Sequence, residues 1–456
     1  MEKRLRILLT MLCLALLGMA SCKVKDPEGQ EKNAPFAMTE AYARTEGAAY
    51  LEDLLEGRYE DAYGNHPHDS AMTKAVGPER YEEIFIQVIQ TYGEFVGYTG
   101  EEISEKGDYT IYTRGLAFRT ASLNANVVFD KKGLISGFNF TPHTFEAQDD
   151  APLPQGLREE EKTFGLEGFP LQARITLPEG EGPFPAVVLV HGSGPNDMDE
   201  TIGPNKPFRD LAWSLGQKGI AVFRYDKRTY THGQAVAQDK GFTVQGETID
   251  DAAEAVRFVS SLPEVDGSRI FVLGHSLGAH LVPRIAEAAP EAAGFMMAAG
   301  MLTSLPELFP YQVEYLAMLD GTLSPEEAEN LDRTRELAEK ARYPERIGAD
   351  ESVLGAYKAY WEDLAAYDPL GMAKAMVKPV LVLHGERDYQ VPLKEYEIMR
   401  EALEEKENYS FRLYPGVNHL LMEGEGIPSP AEYQVKNQVH PPLVEDVAEF
   451  IKGNQR

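Results

Sequence analysis

The stretch IFVLGHSLGAHLVPRIAEAA, residues 270–289, decides the fold. Ile270 to Leu273 form a continuous apolar run of strand length, and Leu277 to Glu287 repeat apolar residues at helical spacing. Between them Ser276 has a glycine two residues away on either side, Gly274 and Gly278. A sharp strand-to-helix turn forces its apex residue into a strained backbone conformation, and side chains two positions away collide unless they are hydrogen. The glycines therefore predict a Ser276 standing exposed at a strand end, with the positive end of the helix starting at Leu277 aimed at it. G-x-S-x-G alone is a weak signal; the strand before it and the helix after it make Ser276 a candidate nucleophile.

The same alternation extends outward. Strands are expected at Ala186–Val190, Ile220–Arg224, Ile270–Leu273, Phe295–Ala298, Val380–Leu383 and Ser410–Tyr414, with helices at Phe208–Gln217, Thr248–Ser261, Leu277–Glu287 and Leu443–Ile451. Continuous apolar strands separated by helices imply an α/β fold, its mostly parallel sheet covered on both faces. The charge-rich segment between Gly300 and Lys378 interrupts this rhythm and reads as a helical cap over about 301–372, above the carboxyl ends of the strands.

A serine hydroxyl needs a base to take its proton and a carboxylate to hold the base's tautomer. In this architecture the chain order is serine, acid, histidine. Of the histidines after Ser276, His280 lies within the elbow helix, His384 ends a strand, and His440 precedes two prolines at the approach to the last helix. His419 in YPGVNHLL follows the strand Ser410–Tyr414 and is the expected base. Asp388 in VLVLHGERDYQVP is the expected acid, with Glu386 the alternative and Asp368 poorly placed. The oxyanion requires two preorganised N–H donors: Leu277, and Ser193 in VLVHGSGPND, with Gly194 as the alternative. His191 is read as positional, and Asp226 and Arg228 in RYDKR as structural. No metal or cofactor is called for.

HGSGPND, RYDKR, GHSLGAH, HGERDYQVP and GVNHLL, in that order over about 300 residues, resemble the α/β-hydrolase superfamily. Within it they look most like bacterial secreted esterases and acyl hydrolases related to prolyl oligopeptidase-like and dienelactone hydrolase-like proteins. Ala279 stands where GHSLGG is commoner. The resemblance implies a triad of Ser276, Asp388 and His419 and a small-molecule ester substrate. A peptidase or amidase of the prolyl oligopeptidase-like group and an inactive surface binding module are the alternatives.

Ahead of this domain, residues 38–143 read as a small α+β unit: helical spacing in AYARTEGAAYLEDLLEG and PERYEEIFIQVIQTYG, then alternating runs in YTIYTRGLAFR, LNANVVFD and LISGFNF. It resembles NTF2-like or cystatin-like domains of unknown function that precede bacterial hydrolase domains. His66-Pro67-His68-Asp69 reads as a solvated turn rather than a metal site. A linker at 144–157, containing DDAPLPQG, separates it from the α/β-hydrolase domain at 158–453.

Residues 1–21 have signal-peptide architecture: Lys3, Arg4 and Arg6, then a short apolar run, then small residues. Met19-Ala20-Ser21-Cys22 resembles a bacterial lipobox, which implies lipidation of Cys22, a tether at 22–37 and an extracytoplasmic protein held to a membrane by an N-terminal lipid anchor. The only other cysteine, Cys13, lies in the apolar run, so cleavage leaves no pair for a disulfide. The 456-residue chain is long for one core, and its formal charge of −29 argues against nucleic acid as a partner.

Overall fold

The computed structural model describes residues 38–92, 95–118, 122–142, 151–319 and 321–454. The signal peptide, Cys22, the tether and linker residues 144–150 lie outside them. No helix among the described residues is long and apolar enough to cross a membrane. The chain divides into two compact units, Met1–Asp149 and Asp150–Arg456.

In the first unit, helices Glu40–Leu55, Tyr59–Gly64, Ser70–Ala75 and Pro78–Tyr92 precede an antiparallel sheet. Its strands β1 (Phe95–Lys106), β2 (Tyr109–Phe118), β3 (Ser122–Phe129) and β4 (Ile135–Pro142) pair in chain order. Thr39 and Asp69 cap two of the helices, their side chains accepting first-turn N–H groups. The expected solvated turn at His66–Asp69 is corrected. The chain there is stitched to the start of β4, Ile135 N–H donating to Pro67 O at 2.7 Å and Asp69 N–H to Ile135 O at 2.9 Å. This turns His66 inward, its ring nitrogens 2.9 Å from Glu46 and 3.1 Å from Asp53, while His68 lies 3.0 Å from the Tyr81 hydroxyl. Among the described residues no group of three His, Cys, Asp or Glu is disposed to hold a metal.

The second unit is an eight-stranded sheet. Its strands are β5 (Leu157–Phe164), β6 (Leu171–Pro178), β7 (Phe184–Val190), β8 (Ala221–Tyr225), β9 (Val265–His275) and β10 (Gly294–Ala298), then, beyond the small hairpin β11–β12 (Ser352–Val353, Ala356–Tyr357), β13 (Val380–Gly385) and β14 (Tyr409–Tyr414). The order is β14-β13-β10-β9-β7-β8-β6-β5, parallel except where β6 joins β8 and β5. Period-two alternation feeds both faces: Ile270 and Val272 of β9 enter one core, Phe271 and Leu273 the other.

Two helices differ from expectation. Leu277–Glu287 is interrupted at Leu281, giving Leu277–His280 and Val282–Ala288, because Pro283 has no N–H to continue the ladder. Thr248–Ser261 starts earlier, as a π-turn at Gln245–Ile249 leading into Asp250–Ser260. Between β10 and β13 run helices Leu305–Ala317, Pro325–Arg342, Lys358–Ala365 and Pro369–Ala375, the second opened by a Ser324–Glu327 capping box. This insertion is fastened to the segments that follow β9 and β13: Tyr367 Oη donates to His280 O at 2.7 Å, and Gln312 Nε2 to Gln390 O at 2.9 Å.

Candidate active site

Ser276 follows the last residue of β9 with φ 53° and ψ −115°, a region a non-glycine residue occupies at a cost of about 1–3 kcal/mol. The strain is held from both directions, Ser276 N–H donating to Ala298 O at 3.0 Å and Ser276 O accepting from His280 N–H at 2.9 Å. The flanking glycines do what their spacing implied. A β-carbon on Gly274 would sit 2.4 Å from Gly278 O, and one on Gly278 2.5 Å from Val190 O. Gly300 is a glycine for a similar reason, since a β-carbon there would lie 2.8 Å from that of Ala279. Ser276 stays partly exposed while its neighbours in the elbow are buried.

Asp388 and His419 meet. His419 Nδ1 lies 2.7 Å from Asp388 Oδ2, with both residues buried. The other carboxylate oxygen, Oδ1, accepts the N–H groups of Gln390 at 2.9 Å and Val391 at 2.8 Å, so the loop after β13 folds around its own acid. Burial pushes the Asp388 carboxyl up, but the His419 and His384 rings and the Val391 N–H outweigh it and hold the group below its usual range. Glu386 is exposed, Asp368 caps the helix Pro369–Ala375, and His440 precedes the last helix, Pro441–Gly453. His280 and His384 are buried, and burial lowers both, His280 to about 4.

The Ser276 hydroxyl makes no hydrogen bond to His419; the two residues are tied through His275 instead. The His275 ring centroid is 4.9 Å from that of His419, and His275 Nε2 lies 2.8 Å from His419 O. Catalytic serine–histidine bonds are commonly long before substrate arrives.

Leu277 N–H sits at the first helical position, which has no intrahelical acceptor. Ser193 is exposed, and its N–H has no hydrogen-bond partner among the described residues. The loop carrying it passes close to Ser276: a β-carbon on Gly192 would lie 3.0 Å from Ser276 Cβ and 3.5 Å from Ser276 Oγ. His191, buried and lowered to about 4 by that burial, lies with Nε2 3.0 Å from Asp197 O and braces the loop, as expected.

Sequence reasoning missed the charges beneath this loop. Glu200, itself at φ 52°, accepts Gly192 N–H through Oε1 at 2.7 Å and pairs with His275 Nδ1 through Oε2 at 2.9 Å. His275 Nε2 also lies 2.8 Å from His419 O, so both ring nitrogens have an oxygen close by. Burial lowers His275, but Glu200, the His419 carbonyl and Asp388 outweigh it and raise the ring above its ordinary value. Burial raises Glu200, and His275, His191 and the Gly192 N–H bring it below its own. Lys227 Nζ donates to Gly192 O and to Glu247, at 2.6 Å each, and Arg228 is paired with Asp251, not Asp226. Asp226 accepts from Met198 N–H. The signal available was RYDKR itself, with Lys227 and Arg228 just past the end of an apolar strand, where buried charge requires partners.

Residues 183–425 match the family model described as serine aminopeptidase, S33. The chain belongs to this α/β-hydrolase family. Esterase EstD of Thermotoga maritima is 40% identical over 366 residues, covering 80% of this chain and 84% of that protein. Monoacylglycerol lipase of Mycolicibacterium smegmatis is 24% identical over 281 residues, covering 58% of this chain and 90% of that protein. Among solved structures, Est1E from Butyrivibrio proteoclasticus is 17% identical with a TM-score of 0.42, covering 64% of this chain and 98% of that one. Residues 48–138 of this α/β hydrolase match a second model, a protein of unknown function (DUF3887), so the hydrolase domain is preceded by a unit of a separate family.

Proposed function

We propose that this α/β hydrolase cleaves carboxylic esters through an acyl-enzyme intermediate, with Ser276 as nucleophile, His419 as base and Asp388 as the group that orients it. The observation carrying this reading is the buried Asp388–His419 pair at 2.7 Å beside a strained, partly exposed Ser276. With Nδ1 committed to Asp388, Nε2 is the nitrogen left to take the Ser276 proton. The hydroxyl oxygen attacks the acyl carbonyl, and the resulting oxyanion is received by the N–H groups of Leu277 and Ser193. The imidazolium returns the proton to the leaving alcohol, and water then releases the acyl group by the reverse sequence.

Ester cleavage is favoured over amide cleavage because an alkoxide departs more readily than an amine, and Esterase EstD, which aligns over most of both chains, carries that activity in its name. The family description, an aminopeptidase, keeps peptide cleavage as the second reading. A panel of p-nitrophenyl esters and aminoacyl p-nitroanilides separates the two. Ester turnover that falls about 10⁴-fold or more in Ser276→Ala, with weak anilide turnover, is expected. Near-normal ester turnover in that variant contradicts the mechanism, and preferential anilide cleavage selects the peptidase.

We further propose that the chain is anchored outside the cytoplasm through a lipid on Cys22. Cys22→Ser or globomycin treatment is expected to release or mislocalise it; membrane association independent of Cys22 contradicts this.

A further inference from the structure

We propose that Lys227 is a positioning residue that strengthens the oxyanion donor by polarising the peptide group that carries it, an inference resting on the acyl-enzyme reading above. Gly192 O and Ser193 N–H belong to one amide. Lys227 Nζ, almost completely buried, donates to that oxygen at 2.6 Å. Drawing electron density toward the carbonyl oxygen makes the N–H at the other end of the amide more positive, and such coupling is strongest where water is excluded. A charge-assisted donor does this more effectively than a neutral one.

The surrounding contacts set direction as well as strength. Glu200 takes Gly192 N–H at 2.7 Å, fixing the preceding amide, and Asn196 Nδ2 donates to Ser193 O at 3.1 Å, fixing the following one. The Ser193 N–H therefore has its plane set on both sides while its own hydrogen stays uncommitted. Lys227 is in turn held by its backbone N–H on Asn196 O at 3.0 Å and by Glu247 at 2.6 Å. Glu247 cancels the ammonium's long-range field without removing the short bond to Gly192 O. The second oxygen of Glu247 accepts Tyr360 Oη at 2.7 Å, so the helix Lys358–Ala365 of the insertion reaches the same peptide through two side chains. A lysine kept only to satisfy Glu247 would have no need to reach the oxyanion loop.

The test measures the oxyanion directly. A trifluoromethyl ketone added to the full-length enzyme forms a hemiketal on Ser276 whose ionisation is followed by ¹⁹F NMR. The apparent pKa of the adduct is expected to rise by about one unit or more in Lys227→Met, and kcat on p-nitrophenyl acetate to fall about 10- to 100-fold with KM within about twofold, a fraction of what losing a whole oxyanion donor costs. Lys227→Arg, which keeps a charged donor, is expected to recover most of kcat. Because Lys227→Met leaves Glu247 short of a partner, Lys227→Met/Glu247→Gln is measured beside it. Stability restored with kcat still low supports polarisation; kcat restored together with stability overturns it. An inert Ser276→Ala beside a Lys227→Met of wild-type kcat and hemiketal titration overturns this inference alone, whereas an active Ser276→Ala overturns the reading beneath it.

Discussion

The elbow that carries Ser276 and the Gly192–Ser193 loop beside it are held in place by opposite means. The elbow is steric: Gly274 and Gly278 are glycines because backbone occupies the space any larger residue would need, and Gly300 beside them because the Ala279 β-carbon does. The Gly192–Ser193 loop is electrostatic: two buried ion pairs, Glu200–His275 and Lys227–Glu247, are bonded to the Gly192 backbone, and a third, Arg228–Asp251, lies one residue further along the chain. Steric constraint is indifferent to pH and salt. Buried pairs are costly to break from one side, because the remaining charge has nowhere to go.

The largest effect tests what lies between these two regions. Asp388→Asn keeps the shape of the acid loop but presents the wrong hydrogen-bonding partner to His419, and kcat/KM for p-nitrophenyl acetate is expected to fall about 10⁴-fold with little change in melting temperature. The exposed Glu386, changed to Gln, is expected to leave kcat/KM within about twofold; the reverse ranking reassigns the acid. Next in size is Gly278→Ala. Its methyl would meet Val190 O at 2.5 Å and His191 O at 2.7 Å, atoms that cannot withdraw without moving the end of β7. A loss of about 1–3 kcal/mol, read as a lower midpoint in urea and the same at pH 5 and pH 8, is expected. A wild-type midpoint would show that the elbow is not sterically set.

The smallest and most discriminating effect is the pH dependence of the electrostatic side. His275 is raised in the folded state, so its contribution is full below the unfolded histidine value of about 6.5 and is lost as pH rises through the higher folded value. Glu200 is lowered, so its contribution is present above the unfolded carboxyl value of about 4.3 and is lost only as pH falls through the folded one. The pair therefore stabilises most between these limits. The melting-temperature advantage of wild type over His275→Gln is expected to be greatest near pH 5.5 and to narrow steadily through pH 8. An advantage that does not change with pH would mean that His275 is neutral and the loop is held as sterically as the elbow.

The same contrast explains how much of the molecule could be read beforehand. Apolar runs expose β7, β8, β10, β13 and the second half of β9, because these segments are buried on both faces, and the edge strand β14 shows through the alternation of its half-buried pattern. Neither signal exposes β5, whose LREEEKTF reads as surface. Glu159 of β5 points inward because the fully buried Arg224 of β8, Thr176 and Trp213 are there to bind it. The elbow position of Ser276 and the pairing of Asp388 with His419 could be anticipated because chain order and strand ends limit the choices to a few residues. Glu200 and Glu247 could not, since a charged residue in a loop or a surface helix is ordinarily solvated and only the folded chain shows that these two are covered, whereas RYDKR signalled a buried Lys227 without naming its partners. The His66 turn misled for the same reason, its carboxylate partners lying 13 and 20 residues away on a helix.

The central claim is that Ser276 is activated by His419, and a fluorophosphonate tests it most directly. After reaction of the full-length protein near pH 7.5, peptide mapping by mass spectrometry is expected to place one adduct on Ser276, formed at least about 10³-fold more slowly in His419→Ala. An adduct on another residue, or labelling of Ser276 at an undiminished rate without the imidazole, would contradict it.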